Sequence, residues 1–343
     1  MATQSVGMDA LSVPRANWII SEKEDLTWFI GSSLAGYLAL AMMAAGFPLT
    51  PLFLVWLIGI DGPHVLATVT RTYFDKEERR KLGAMLWVIV PAMLVGPIAV
   101  AAGQETLFYL FAVSWLHFHI AKQHFGFVML YKHKNRERDR LDYLIDRYFL
   151  LASLMLPYLR FVIATADIFK GSQIMQGVST VLLAAYLVLL ALFIGRQLQK
   201  SRSGMPLNAP KLMLFAAVVP MQWLAFGYAA NFGFNGILRA GIVAGLFHSF
   251  QYHRLMWFHN QNRYSEPRSE TRFGLAATLA RRFAYYALAA VALNLLLNVL
   301  PAMVFPASPL KAAVWGLAFT HYCLDARIWR VRGNKELAAA LHL

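Results

Sequence analysis

Ten histidines stand in this chain of 343 residues: His64, His117, His119, His124, His133, His248, His253, His259, His321 and His342. His133 falls in a basic loop and His342 in the tail. The other eight interrupt apolar runs, or end them. A polar, ionisable side chain is costly to place inside a bilayer and is usually kept there for function. Neutral imidazole is also the commonest protein metal ligand. For any single histidine, a hydrogen bond to a neighbouring helix is explanation enough. Four runs bringing histidines to overlapping depths point instead to a shared metal or haem site.

Helical spacing sorts these residues at 100° per position. His117 and His124 are seven apart and share a face, from which His119 points away. That selects His117 and His124 as ligands and leaves His119 for an outer position. His321 and Asp325 are four apart, so Asp325 is a possible ligand or an acceptor that sets the imidazole tautomer. Asp61, His64, Thr68 and Arg71 form a stripe at 3-4-3 spacing, which must face the bundle interior. Asp61 and Pro63 are expected to loosen the helix just before His64, because proline lacks an N–H. His248 and His253 lie about 140° apart on an ideal helix. Both reach one centre only through a π-bulge; otherwise His248 binds and His253 sits at the rim. Gln251 and Tyr252 are polar neighbours, and His259 lies at the membrane surface as an entrance or outer residue. The expected ligands are therefore His64, His117, His124, His248, His253 and His321, with Asp61, Asp325, His119, Tyr252, Gln251 and His259 around them. On this reading metal binding depends on His124 and His321 and not on His342.

The elements that must position these groups are transmembrane helices. The chain is 58% hydrophobic and only 15% charged, against roughly 25% charged in an average soluble protein. Its mean hydropathy is +0.49. These figures exclude a water-soluble enzyme and an intrinsically disordered chain. A spanning helix needs about 20 mostly apolar residues. Ten candidates are legible, at 26–46, 50–74, 83–102, 105–131, 143–164, 174–195, 212–230, 234–258, 273–300 and 307–326. With the N-terminus inside, 28 of the 32 Lys and Arg residues fall on the cytoplasmic side, leaving only Arg160, Lys170, Arg239 and Lys311. This asymmetry obeys the positive-inside rule and sets both termini in the cytoplasm. The expected fold is an all-α, polytopic helical bundle in a bacterial inner membrane. A cytoplasmic segment at 1–25 precedes a single bundle at 26–326 and a tail at 327–343. The histidines belong to the second, fourth, eighth and tenth spans, toward the inner leaflet. The net charge of +14 is explained by topology and calls for no nucleic acid. The lone Cys323 rules out an intramolecular disulfide and a thiolate cluster.

Nitrogen donors with a few carboxylates suit iron, copper or zinc. Iron, mononuclear or dinuclear, is the favoured metal, since a structural zinc site needs only four ligands and more are on offer. A site within the lipid implies a hydrophobic substrate, with membrane lipids around it and an electron-donor protein as a further possible partner. The HxxxH and HxxHH boxes of membrane desaturases are absent. Asp61-Gly62-Pro63-His64, His124-Phe125-Gly126 and His248-Ser249 resemble motifs of the membrane β-carotene cleaving dioxygenases related to bacterioopsin synthesis. About a dozen residues carry the resemblance. It implies a non-haem iron held by His64, His124, His248 and His253, and does not establish the substrate; His117, His119, His321 and Asp325 are outside that pattern. The primary expectation is a membrane oxygenase or desaturase-like oxidoreductase. A haem-b electron-transfer protein and a proton-coupled transporter with a histidine relay are the alternatives.

Overall fold

The computed structural model describes residues 16–304 and 308–343. Residues 1–15 of the expected cytoplasmic segment, and position 307 at the expected start of the last span, lie outside them. Helices make up most of the described chain, and no strand occurs among the described residues. The long helices are α1 (Glu22–Ala44), α2 (Leu49–Thr72), α3 (Lys76–Ala101), α4 (Glu105–Lys134), α5 (Arg140–Thr165), α6 (Gln173–Arg202), α7 (Ala209–Ala229), α8 (Ile237–Arg263), α9 (Phe283–Val304) and α10 (Ser308–Ile328). Seven segments among the described residues are long and apolar enough to cross a membrane. One of them, Ala209–Arg263, contains both α7 and α8, broken where Gly233 takes a φ of 61° that favours glycine. The helix α4 has 30 residues but is not among the seven; four histidines and its flanking charges dilute its apolar character.

Small residues bring the helices close, as expected where lipid supplies no hydrophobic drive between them. The helix α10, which carries His321, lies against α3 through Gly316 and Gly96. A Cβ at Gly316 would come within 2.6 Å of the Met93 backbone, and one at Gly96 would overlap Ala312. Aromatic stacking fixes α10 against α4: Trp115 and Phe319 lie 4.9 Å apart, and His119 stacks on Tyr322 at 4.4 Å.

The helix α2 is not uniform. It winds as a π-helix over Val55–Asp61, and the Gly62 N–H reaches back to the Leu57 carbonyl. Pro63 follows and offers no N–H, as the sequence pattern anticipates. The loosened carbonyls are satisfied from outside the helix. Asn294 Nδ2 donates to Leu57 at 2.9 Å, and His253 Nε2 donates to Ile60 at 3.0 Å. Backbone groups in an apolar surrounding require such partners.

At one end of the bundle, buried ion pairs tie the helix ends together. Glu137, in the loop after α4, accepts from Lys200 at 2.8 Å and from Lys211 at 2.9 Å. Asp146 takes Lys132 at 2.6 Å and Lys211 at 2.9 Å. Arg196 binds Asp142 at 2.7 Å. These bonds join the ends of α4, α5, α6 and α7. A second network joins Arg263 at the end of α8 to Asp75, Glu78 and Glu336. Asn17 bonds Asn135, and Lys134 bonds the His342 carbonyl, so both ends of the described chain meet this face.

Two outcomes follow. Gly316→Val, which must push α10 away from α3, is expected to destabilise the protein by roughly 1–3 kcal/mol, read as a lower thermal midpoint in detergent. The second concerns pH. Burial raises the Glu137 pKa, but Lys211, Lys200 and Lys132 outweigh it and hold the group at about 2, below the ordinary 4.5. A depressed carboxylate stabilises the fold above its unfolded pKa. That contribution is lost as the pH falls from about 4.5 through about 2, and Glu137→Gln should flatten the acid side of a stability–pH profile.

Candidate metal centre

Four helices each bring one imidazole to a common point. His64 from α2, His119 from α4, His248 from α8 and His321 from α10 offer nitrogen atoms that all lie within 4.8 Å of one another. His64 Nε2 and His248 Nε2 are 3.2 Å apart, as are His119 Nε2 and His321 Nε2. The His64 ring stands edge-on to those of His248 and His321, with centroids 4.6 and 4.5 Å away. His64, His248 and His321 are buried and His119 is half-buried.

The surrounding hydrogen bonds orient two of these rings. Ser249 Oγ donates to Asp61 at 2.8 Å and lies 3.4 Å from His64 Nδ1, which is itself 3.7 Å from the Asp61 carboxylate. His321 Nδ1 lies 2.7 Å from Thr68 Oγ1, which donates onward to Asp325 at 3.0 Å. Tyr252 donates to the same Asp325 oxygen at 3.0 Å. Thr68 Oγ1 also lies 2.8 Å from the Tyr252 hydroxyl. A hydroxyl has one hydrogen, so where Ser249 and Thr68 give theirs to the carboxylates they accept from the imidazoles, which puts hydrogen on Nδ1 and leaves the Nε2 lone pairs facing inward. Metal-binding histidines are usually held in this way by carboxylates or hydroxyls beyond them.

The donor spacing fits an ion. Metal–imidazole bonds of about 2.1 Å at a tetrahedral angle separate the two nitrogens by about 3.4 Å. The two close pairs, at 3.2 Å, are near that value. All four nitrogens lie within 4.8 Å of one another.

The remaining expected residues occupy other positions. His117 donates through Nε2 to the Leu154 carbonyl at 2.8 Å and stacks on Tyr158. His124 uses Nδ1 on the Ile120 carbonyl at 2.9 Å; its ring lies against Phe247, and its buried Nε2 has no hydrogen-bond partner. Neither joins the four-histidine group; their shared face of α4 turns toward α5 and the α7–α8 side, and His119 takes the place at the centre. The helix α8 carries no π-bulge, so His253 stays apart from His248. Both of its nitrogens are engaged, Nε2 donating to Ile60 and Nδ1 accepting from Tyr286 at 2.9 Å. His259 bonds Asn260 and lies against Trp329. Gln251 donates to the Phe29 carbonyl at 2.7 Å, tying α8 to α1. Arg71, the end of the polar stripe, donates to the Ile328 carbonyl and lies over the Trp329 ring. Ser249 is the partner that spacing did not single out. Its signal was its place beside His248, one step round the helix toward Asp61.

No family model, curated protein or solved structure matches the chain. Of the four ligands implied by the β-carotene cleaving resemblance, His64 and His248 are in the group, and His124 and His253 are not.

The geometry separates the α4 histidines experimentally. His119→Ala and His321→Ala should each lose bound metal, whereas His117→Ala and His124→Ala should retain it, as counted by elemental analysis of the purified variants. Metal loss in His124→Ala with retention in His119→Ala would reverse the assignment.

Proposed function

We propose that the protein is an integral membrane metalloenzyme, an iron-dependent oxygenase or desaturase-like oxidoreductase acting on a hydrophobic substrate. The reading takes the ten helices as spans with both termini cytoplasmic, and the buried ion networks as the inner face. The observation that carries it is the four-imidazole group with carboxylates behind it. Four neutral imidazoles leave the full charge of a divalent ion in a low-dielectric interior. Asp61 and Asp325, linked to His64 and His321 through Ser249 and Thr68, would bring a doubly charged ion to neutrality. Burying an ion is tolerable only with such compensation.

The donor chemistry favours iron, copper or zinc over magnesium or calcium, which prefer oxygen ligands. An iron ion held here would supply one-electron chemistry and positions for dioxygen. The chain's own residues would orient His64 and His321 through Ser249 and Thr68, exclude bulk water with Tyr252 and Tyr322, and keep the site within reach of lipid. A haem is less compatible: the four rings crowd together, with contacting centroids 4.5 to 6.4 Å apart, leaving no slot for a macrocycle between an opposed pair. The likeness to β-carotene cleaving enzymes agrees with iron and with an apolar substrate, and an electron-donor protein would meet the basic inner face.

Protein purified in detergent is expected to contain stoichiometric iron and to show no Soret band. A Soret band would establish haem instead, and a protein free of metal after expression in iron-, copper- and zinc-replete medium would leave a proton relay as the better account. Chelation should also lower the thermal midpoint, because a ligand that binds only the folded state stabilises it.

A further inference from the structure

A cavity of about 380 Å³ opens where α4 passes into α5, within the range of small-molecule sites. It lies at the end of the bundle that holds the Glu137 network. Its carboxylates are already engaged. Glu137 is turned onto Lys200 and Lys211. Asp139 caps the start of α5, accepting from the Asp142 N–H at 2.8 Å, and lies 3.6 Å from Arg196. Its arginines are not engaged. Arg136, Arg138 and Arg140 line the cavity, are exposed, and make no ion pair among the described residues. Arg263, Arg272 and Arg281, by contrast, each lie on a carboxylate.

We propose that this cavity binds the headgroup of an anionic phospholipid, with the phosphate at Arg136, Arg138 and Arg140 and an acyl chain along Tyr143 and Phe125. Two observations determine the class. The first is charge. Three exposed guanidinium groups without counter-ions favour an anion, and their planar donor forks suit phosphate oxygens. The second is the surface that leads away from the cavity. Met129 and Tyr143 also line it, and the Tyr143 ring faces that of Phe125 at 6.2 Å, one turn back along α4. All three are half-buried, so an apolar seam runs from the arginines toward the membrane interior. A free phosphate would leave that seam unused; a lipid fills both parts. Lys122, over the Phe125 ring, and Arg147, which donates to the Tyr143 hydroxyl at 3.2 Å, extend the positive charge along the seam. Their stems can lie on apolar surface while the charged ends reach toward headgroups. Basic pockets between helices at the inner face are suited to anionic headgroups. The inference rests on the reading above only in taking the helices as spans with this end at the inner face, and it needs no metal.

The test counts bound lipid and metal on the same samples. Full-length protein, stripped of lipid in detergent, is titrated with dioleoyl phosphatidylglycerol or dioleoyl phosphatidylcholine and read by native mass spectrometry. Both lipids carry a phosphate, and only the first has a net charge. A single phosphatidylglycerol per chain is expected, bound about tenfold more tightly than phosphatidylcholine or better. Arg138→Gln combined with Arg140→Gln should weaken it about tenfold. Arg330→Gln combined with Arg332→Gln removes the same charge from exposed arginines outside the cavity and should leave binding unchanged. Inorganic phosphate at millimolar concentration should not displace the lipid. Equal binding of the two lipids, or equal loss in the two double variants, would overturn the site. Displacement by inorganic phosphate would overturn a lipid as its occupant. The variant at Arg138 and Arg140 should keep its metal. Wild-type protein that holds metal without preferring phosphatidylglycerol would remove this inference alone. Wild-type protein without metal that binds one phosphatidylglycerol would remove the metalloenzyme reading and leave this one standing.

Discussion

Two imidazole nitrogens that both present lone pairs repel each other. Where Ser249 and Thr68 accept from His64 and His321, the Nδ1 hydrogens of these two rings point outward. Their Nε2 atoms face His248 and His119 at 3.2 Å. Such contacts are favourable when the facing ring donates a proton or when a cation lies among the four. The low polarity of the surroundings sharpens the choice, since an unsatisfied polar atom has no water to turn to. Everything else near the site can be read as holding this convergence in place.

The support extends outward in layers. Asp61 and Asp325 anchor the hydroxyls that orient the rings. Gln123, which donates to the His248 carbonyl at 2.9 Å, and Gln251, on the Phe29 carbonyl, register α8 against α4 and α1. Gly96 and Gly316 let α10 approach α3 closely enough to deliver His321. Farther out, the lysine–carboxylate networks bind the helix ends. Each layer satisfies polar groups that would otherwise be stranded, so stability and positioning come from the same bonds. The π-helical stretch of α2 shows the link most directly. It displaces Asp61 and His64 from a regular helix path, and its freed carbonyls are taken by Asn294 and by His253. The latter residue is thereby unavailable as a ligand.

Much of this was legible from residue types. Histidines inside apolar runs are rare, and their restriction to four runs picked out α2, α4, α8 and α10, the helices that meet. The 3-4-3 spacing of Asp61, His64, Thr68 and Arg71 marks an inward-facing stripe, and the last three of these are buried. Pro63 after Asp61 signalled the distortion of α2. The choice among His117, His119 and His124 was not legible. Spacing tells which residues share a face, and it is silent on which neighbour that face meets. His117 and His124 do share one, directed at Leu154 and Phe247, while His119 alone looks toward His321.

The sequence by itself determined an all-helical chain with membrane-compatible apolar segments, because composition and run length are properties of the residues alone. It also determined which helices bear imidazoles. Tertiary structure decided which four nitrogens converge, which hydroxyls and carboxylates stand behind them and which histidines are used up on backbone carbonyls. Those outcomes depend on the rotation and depth of each helix relative to the others. Rotation and depth are set by close contacts at glycines, by aromatic stacking and by hydrogen bonds between residues as far apart as Thr68 and His321.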